Sequence, residues 1–301
     1  MSGAKKTLGV ALSVDDENLH AIAEAARGKR FGSLFWLSVI WLVFLAISAI
    51  FADVIPLYPR DDMDFSELSV SPLESESHWL GTDHQGRDML SRVIHGARVS
   101  LTVGLVAPTI GMFFGLAVGL LAGYYRGRVE SIATVVLDVI LALPGLVVLL
   151  LMSVVYGGSL AVVSISLGFL LVPAFARVSR ANTLNFAQRE FVVAAKAMGA
   201  TDLRIIVREI LPNVILPVAA YALVVVAFAI VVEGSLSFLG LSVPSPMPSW
   251  GGMIAQGREE LAVSPHVSFV PATVMFFTVL AFNIVGDTLR SRLADIKEAA
   301  V

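Results

Sequence analysis

The stretch REFVVAAKAMGATDLRIIVREILPN, Arg189 to Asn213, lies between two long apolar runs and carries small residues, charges and one glycine in an ordered pattern. Phe191, Ala194, Ala195 and Met198 fall at i, i+3, i+4 and i+7, so a helix here presents an apolar face with very small side chains at its centre. Another surface can approach such a face closely. Gly199 suits the left-handed residue that ends a helix, and Thr201 or Asp202 can cap the next helix by accepting its free N–H groups. Leu203 to Leu211 continues at helical spacing, with Arg204 and Arg208 four apart, and Pro212 marks the junction with the next apolar run. The pattern predicts two short helices hinged at glycine and continuous with a much longer helix. A plain connecting loop is the alternative, but a connection of about 35 residues is uncommon unless it has a task.

The flanking runs set the fold class. The chain has 301 residues, 56% of them hydrophobic and only 15% charged, with a mean hydropathy of +0.82. These values lie outside the soluble range and imply an all-α integral membrane protein. A bilayer core of about 30 Å needs about 20 apolar residues in a helix, and six windows qualify: about 34-55, 100-125, 131-156, 159-178, 214-240 and 269-289. Residues 1-33 carry no cleavage pattern, so the first run is expected to stay as an anchor.

Basic residues orient the spans. Residues 1-33 hold 5, the turn near 127 holds 2, region 177-213 holds 6 and the C-terminal end holds 3, against 5 in the alternate segments. By the positive-inside rule the N-terminal segment 1-33, the loop 179-213 and the tail 290-301 are expected on the cytoplasmic face. The chain then divides into a first membrane helix at 34-55, an outer loop at 56-99, and a five-helix core at 100-289 that includes a second outer loop at 241-268.

The outer loops read as follows. Asp61, Asp62, Asp64, Glu67, Glu74 and Glu76 lack the glycine and terminal glutamate of an EF-hand and read as solvated surface. His78 and His84 share that loop without a third ligand, so no metal is assigned. From Arg87 to Leu101, apolar residues recur at helical spacing with Arg87, Asp88, Arg92 and Arg98 between them, which predicts an amphipathic helix in the membrane interface. Pro244, Pro246, Pro248 and Trp250 suggest a rigid non-helical stretch with an aromatic ring at headgroup level. Within the spans, Asp138, Glu233 and Asn283 are polar in a setting where each charge is costly. Together with Trp250, they either face a pathway or partner subunit, or make internal helix–helix contacts. Pro144 and Gly145 predict a kink in the third span.

With these patterns laid out, the stretch at Gly199 resembles the cytoplasmic coupling loop of ABC-transporter permeases. That loop reads Glu-Ala-Ala, three residues, Gly, then a Leu-Pro ending thirteen residues after the glycine, matched here by Ala194, Ala195, Gly199, Leu211 and Pro212. Val193 replaces the motif's glutamate and Glu209 its isoleucine, while Glu190 supplies a carboxylate one turn earlier. LGTDHQGRDMLSRVIHGARVSL (Leu80 to Leu101), EGSLSFLGLSVPSPMPSWGGMI (Glu233 to Ile254) and NIVGDTLRSRLAD (Asn283 to Asp295) are similar to signatures of the dipeptide, oligopeptide and nickel import group.

The resemblance implies a type I importer permease fold with six transmembrane helices in a bacterial inner membrane. It also implies a second homologous permease, two ATPase subunits that bind ATP and magnesium, an extracytoplasmic substrate-binding protein and a short-peptide substrate. Glu190, Ala194, Ala195, Gly199, Thr201, Asp202, Arg204, Leu211 and Pro212 would form the ATPase-coupling loop. Nickel, haem or another small solute is the alternative cargo, and a stand-alone secondary transporter the alternative class. The chain has no G-x-x-x-x-G-K-[ST] phosphate loop and no nucleophile–histidine constellation, and it contains no cysteine. It therefore reads as non-enzymatic, without a cofactor of its own. A formal charge of -3 gives no reason to expect nucleic acid.

Overall fold

A computed structural model describes residues 31–244 and 246–299, with side chains to residue 293. The five basic residues of the N-terminal segment and most of the tail's side chains lie outside the described residues. Every regular element described is helical: α1 Ser33–Ile50, α2 Met89–Tyr125, α3 Gly127–Ala142, α4 Gly145–Tyr156, α5 Leu160–Phe186, α6 Glu190–Ala197, α7 Asp202–Phe238, α8 Trp250–Gly257 and α9 His266–Ala299. Five helices are long and apolar enough to cross a bilayer, and six spans result if the bent pair α3 and α4 counts as one.

Local chemistry explains most boundaries. The Asp88 carboxylate accepts the Ser91 N–H at 2.7 Å and starts α2, and Ser159 accepts the Val162 N–H at 3.2 Å to start α5. At 37 residues, α2 is about 55 Å long at 1.5 Å per residue and overshoots the bilayer core. Its first turns, predicted as an amphipathic interfacial helix, are the direct extension of the second span. The third span is not merely kinked: α3 and α4 diverge by 74°. Leu143 is extended (φ -79°, ψ 131°) before Pro144, the conformation a following proline imposes.

The centre is a seam between α2 and α5. Gly111, Gly115, Gly119 and Gly123 recur every four residues along one face of α2. A Cβ added at Gly115 would stand 2.8 Å from the Val172 carbonyl, and one at Gly119 only 2.5 Å from the Ala176 carbonyl. The two backbones therefore touch, as at membrane interfaces where close packing replaces the hydrophobic effect. Around the seam, Val103, Leu167, Leu171, Phe175, Val214 and Val218 form the core.

The α3–α4 pair is the reverse case. Among its buried residues are only Leu137, Leu149 and Ser153, while Ile132, Val135, Val139, Val147 and Val154 are exposed. So much bare apolar surface suits lipid or another membrane subunit.

The two ends of the bundle are defined by contacts. Arg292 near the end of α9 stacks 3.6 Å from the Phe31 ring, which places both ends of the described chain together. Lys196 sits 4.9 Å from the Tyr124 ring at the end of α2, so the α6 segment shares that end. At the opposite end Arg98 donates to the carbonyls of Ala49 and Ile50 as α1 finishes.

Candidate coupling segment and outer cap

The segment 189–213 folds as two arms about Gly199. α6 carries Glu190 in its first turn, where the helix dipole favours an anion. Gly199 has φ +81°, its N–H reaches the Lys196 carbonyl at 3.0 Å, and the Ala200 N–H reaches Ala195 at 3.1 Å. This pair of bonds is a Schellman ending, which needs the left-handed residue. An added Cβ would meet nothing within 4 Å, so the constraint at Gly199 is conformational, not steric.

The expected caps are not made. Thr201 occupies the N-cap position with extended backbone but no side-chain bond. The Asp202 carboxylate instead accepts the Tyr124 hydroxyl at 2.6 Å. With Lys196 over the same ring, Tyr124 ties both arms of the hinge to the end of α2. Its signal in the sequence was the Tyr124–Tyr125 pair closing an apolar run, where aromatics mark a membrane boundary. Beyond Arg204, Ile205–Ile210 is a π-helical stretch that runs directly into the regular helix at Leu211, with Pro212 in its first turn, where no N–H is needed.

The expected apolar face is divided. Ala195 turns inward with Val192 and joins Ile205, Ile206 and Ile210 in the core. Ala194 stays outside, in the company of Val193 (58% exposed), Met198 (82%) and Leu203 (71%). Arg204 and Pro212 are also exposed, and Leu211 is half-buried. The exposed surface of the segment is thus a bare apolar tip around the hinge with Arg204 beside it.

At the other end, residues 56–99 and 241–268 fold onto the bundle as one cap. Asp83 binds Arg87 Nε at 2.7 Å and stands 3.6 Å from Arg92 Nε. Gln256 on α8 accepts from Arg87 at 3.1 Å and from Arg92 at 3.3 Å. Arg87 and Arg92 are 3% and 1% exposed, so these two charges face an internal ion network, not the membrane interface. Trp250 is likewise no headgroup anchor. It begins α8, is fully buried, and donates through Nε1 to the Val93 carbonyl at 3.0 Å.

Glu233 also turns inward. Fully buried, its carboxylate accepts from Ser237 at 2.6 Å, Ser100 at 2.9 Å and Ser242 at 3.2 Å. It joins α2, α7 and the following loop through hydrogen bonds inside the subunit. A Cβ on Gly251 would stand 2.3 Å from the Gly234 carbonyl, so α8 seats against the backbone of α7. The segments Leu80–Leu101 and Glu233–Ile254, far apart in sequence, interlock here.

Asp138 pairs with Arg177 at 2.7 Å between α3 and α5, with side chains 54% and 59% exposed, and Glu130 pairs with Arg180 nearer the end that carries the Gly199 hinge. Between the broken span, α5 and α7 lies an apolar cavity of about 350 Å³ lined by Leu143, Leu146, Leu167, Leu171, Phe228 and Val232. Asn283 donates to the Val279 carbonyl of its own helix at 2.8 Å and does not join this cavity.

An all-helical bundle with bare apolar flanks, a locked cap at one end and a hinged apolar tip at the other defines a subunit of a multi-pass membrane transport assembly. The chain belongs to the family of binding-protein-dependent transport system inner membrane components, whose model matches residues 115–295, and it is an ABC importer permease. It is 37% identical over 252 residues to the glutathione transport system permease protein GsiD of Pectobacterium atrosepticum, covering 84% of this chain and 83% of that one. The GsiD protein of Escherichia coli O1:K1 is 38% identical over 257 residues, with coverage of 85% and 84%. Among solved structures, the inward-facing MetNI methionine ABC transporter aligns with a TM-score of 0.57 at 19% identity over 68% of this chain and 97% of that one. That likeness concerns the fold alone.

Proposed function

We propose that this permease forms a translocation pathway for short peptides with a second, homologous permease, and that two ATPase subunits drive it through the segment around Gly199. Both described ends and this segment then face the cytoplasm, in keeping with their basic residues. ATP and magnesium are held by the ATPase subunits, and an extracytoplasmic binding protein delivers the peptide. The observation that carries the reading is the hinge: Gly199 at φ +81° presents exposed Val193, Met198 and Leu203, while the inner faces of both arms share the core with α7. A peptide cargo is supported by relatives named as glutathione transport permeases.

A Gly199→Val variant tests the coupling. A β-branched residue is a steric outlier at this φ, so the Schellman ending should open and the tip should lose its shape. In vesicles holding the complete transporter and its binding protein, peptide-stimulated ATP hydrolysis and uptake should both fall at least about tenfold while the subunit remains in the membrane. Unchanged uptake would sink the coupling assignment. Stimulation by nickel or haem, with di- and tripeptides inactive, would reassign the cargo.

A further inference from the structure

The loop over residues 58–88 brings together three side chains that none of the roles above uses. Asp64, Glu67 and His78 each point one ligand atom into a space where all three atoms lie within 4.8 Å of one another. His78 is only 3% exposed, and its Nδ1 is 2.9 Å from the Asp88 carboxylate. That carboxylate only accepts, so Nδ1 donates to it, and Nε2 is directed toward Glu67 and Asp64. Nε2 makes no hydrogen bond among the described residues, and its nearest carboxylate oxygen, Glu67 Oε2, is 3.8 Å away. Glu67 Oε2 is itself buried without a hydrogen-bond partner. A buried imidazole nitrogen and a buried carboxylate oxygen, each without a hydrogen bond, thus converge on one space.

We propose that Asp64, Glu67 and His78 bind a divalent first-row transition-metal ion that fastens the loop to the start of α2. One imidazole nitrogen and two carboxylates, with no thiolate, form a mixed nitrogen–oxygen donor set suited to ions of the zinc class. Tetrahedral bonds of about 2.0–2.1 Å place ligand atoms roughly 3.3 Å apart. The His78–Glu67 separation of 3.8 Å is too long for a hydrogen bond, and the three ligand atoms, within 4.8 Å of one another, would draw together by at most about 1.5 Å to reach that spacing. Asp88 supplies the outer support that metal-binding histidines require, and the same carboxylate caps α2. Beside the cluster is a cavity of about 210 Å³, lined in part by Tyr58, Asp62 and Gly86. It has room for several metal-bound waters at about 30 Å³ each.

Zinc is the probe, titrated into the full-length chain in detergent micelles, purified without a polyhistidine tag and read by competition with a chromophoric chelator and by melting temperature. The wild type should bind one zinc per chain and melt higher with zinc than without. Glu67→Gln and Asp64→Asn change side chains that are not fully buried and should fold; each should weaken binding at least about tenfold, the scale at which even outer-shell losses act, and abolish the thermal shift. His78→Gln should behave likewise. Glu76→Gln, on an exposed acid of the same loop, should change neither readout. No zinc bound by the wild type would overturn the site. So would equal binding by Glu67→Gln and Asp64→Asn, or a loss in Glu76→Gln as large as theirs, which would indicate diffuse attraction to an acidic loop.

Discussion

Replacing Glu233 separates a structural carboxylate from a transport carboxylate. Three hydroxyls donate to it: Ser237 and Ser242 to Oε1, and Ser100 to Oε2. In Glu233→Gln the amide oxygen takes over Oε1, and the amide nitrogen can donate to Ser100 once that hydroxyl turns round. All three bonds survive, and the cost should stay below about 1 kcal/mol. In Glu233→Ala the three donors lose their acceptor in a fully buried site, and at about 1–3 kcal/mol for each unsatisfied donor the loss is at least about 3 kcal/mol before any cavity cost. Ser237 keeps its bond from Ser249 at 2.9 Å, so the outer ring of the network holds for a time. For a chain of this size about 2 °C accompanies each kcal/mol, so the alanine variant should melt at least about 6 °C lower while the glutamine variant stays within about 2 °C of wild type. Fluorescence-monitored melting in detergent, paired with peptide uptake by reconstituted vesicles, reads both quantities. Loss of uptake in Glu233→Gln at an unchanged melting temperature would refute the structural assignment and return the charge to the pathway.

Two further predictions concern packing and charge. Gly119→Ala places a Cβ 2.5 Å from the Ala176 carbonyl; overpacking against backbone should cost about 3 kcal/mol, whereas Gly145→Ala, whose nearest neighbour is Leu170 at 3.9 Å, should be neutral or slightly stabilising. Equal melting temperatures for the two variants would show that the α2–α5 seam is not tight. Asp83→Asn leaves buried Arg87 and Arg92 without a carboxylate and turns an amide N–H toward Arg87 Nε, so it should cost about 3–5 kcal/mol; a normal yield of folded subunit with an unchanged melting temperature would contradict the buried network.

What could be read from sequence was local. The hinge at Gly199 and the break at Pro144 rest on backbone restrictions that one residue imposes, and both stand in the structure. The spans follow from length and hydropathy, although where α2 begins does not, because its first turns carry arginines whose partners lie elsewhere. Arg87 and Arg92 meet Gln256 across 169 and 164 residues, and no period within Arg87–Leu101 reveals that these two charges face inward. Trp250 was misplaced for the same reason, its partner Val93 being 157 residues away. The Asp202 cap failed because Tyr124, 78 residues earlier, donates its hydroxyl to the Asp202 carboxylate. Asp138 stood as a lone charge because Arg177 lies on another helix. The seam was legible in principle: glycines at 111, 115, 119 and 123 spell it out at a spacing of four.

The distribution of these contacts decides which parts of the molecule can move together. Separating α6 from α7 would uncover Val192, Ala195, Ile205, Ile206 and Ile210, all buried in one cluster, at about 1.5–3 kcal/mol for each large aliphatic side chain brought into water. A force on the exposed tip at Met198 and Leu203 is therefore cheaper to relay into α7 than to absorb at the hinge. The far end of α7 cannot follow freely, because Glu233 and Gly234 lock it into the cap through the serine cage and the backbone of α8. The α3–α4 pair has neither restraint. It is broken by 74° and held to α5 by two ion pairs and a few buried side chains. Of the spanning elements, the broken one buries few residues for its length, and it borders the cavity of about 350 Å³ shared with α5 and α7. If the proposed coupling at the Gly199 hinge holds, a displacement there that the cap resists should change the shape of that cavity first.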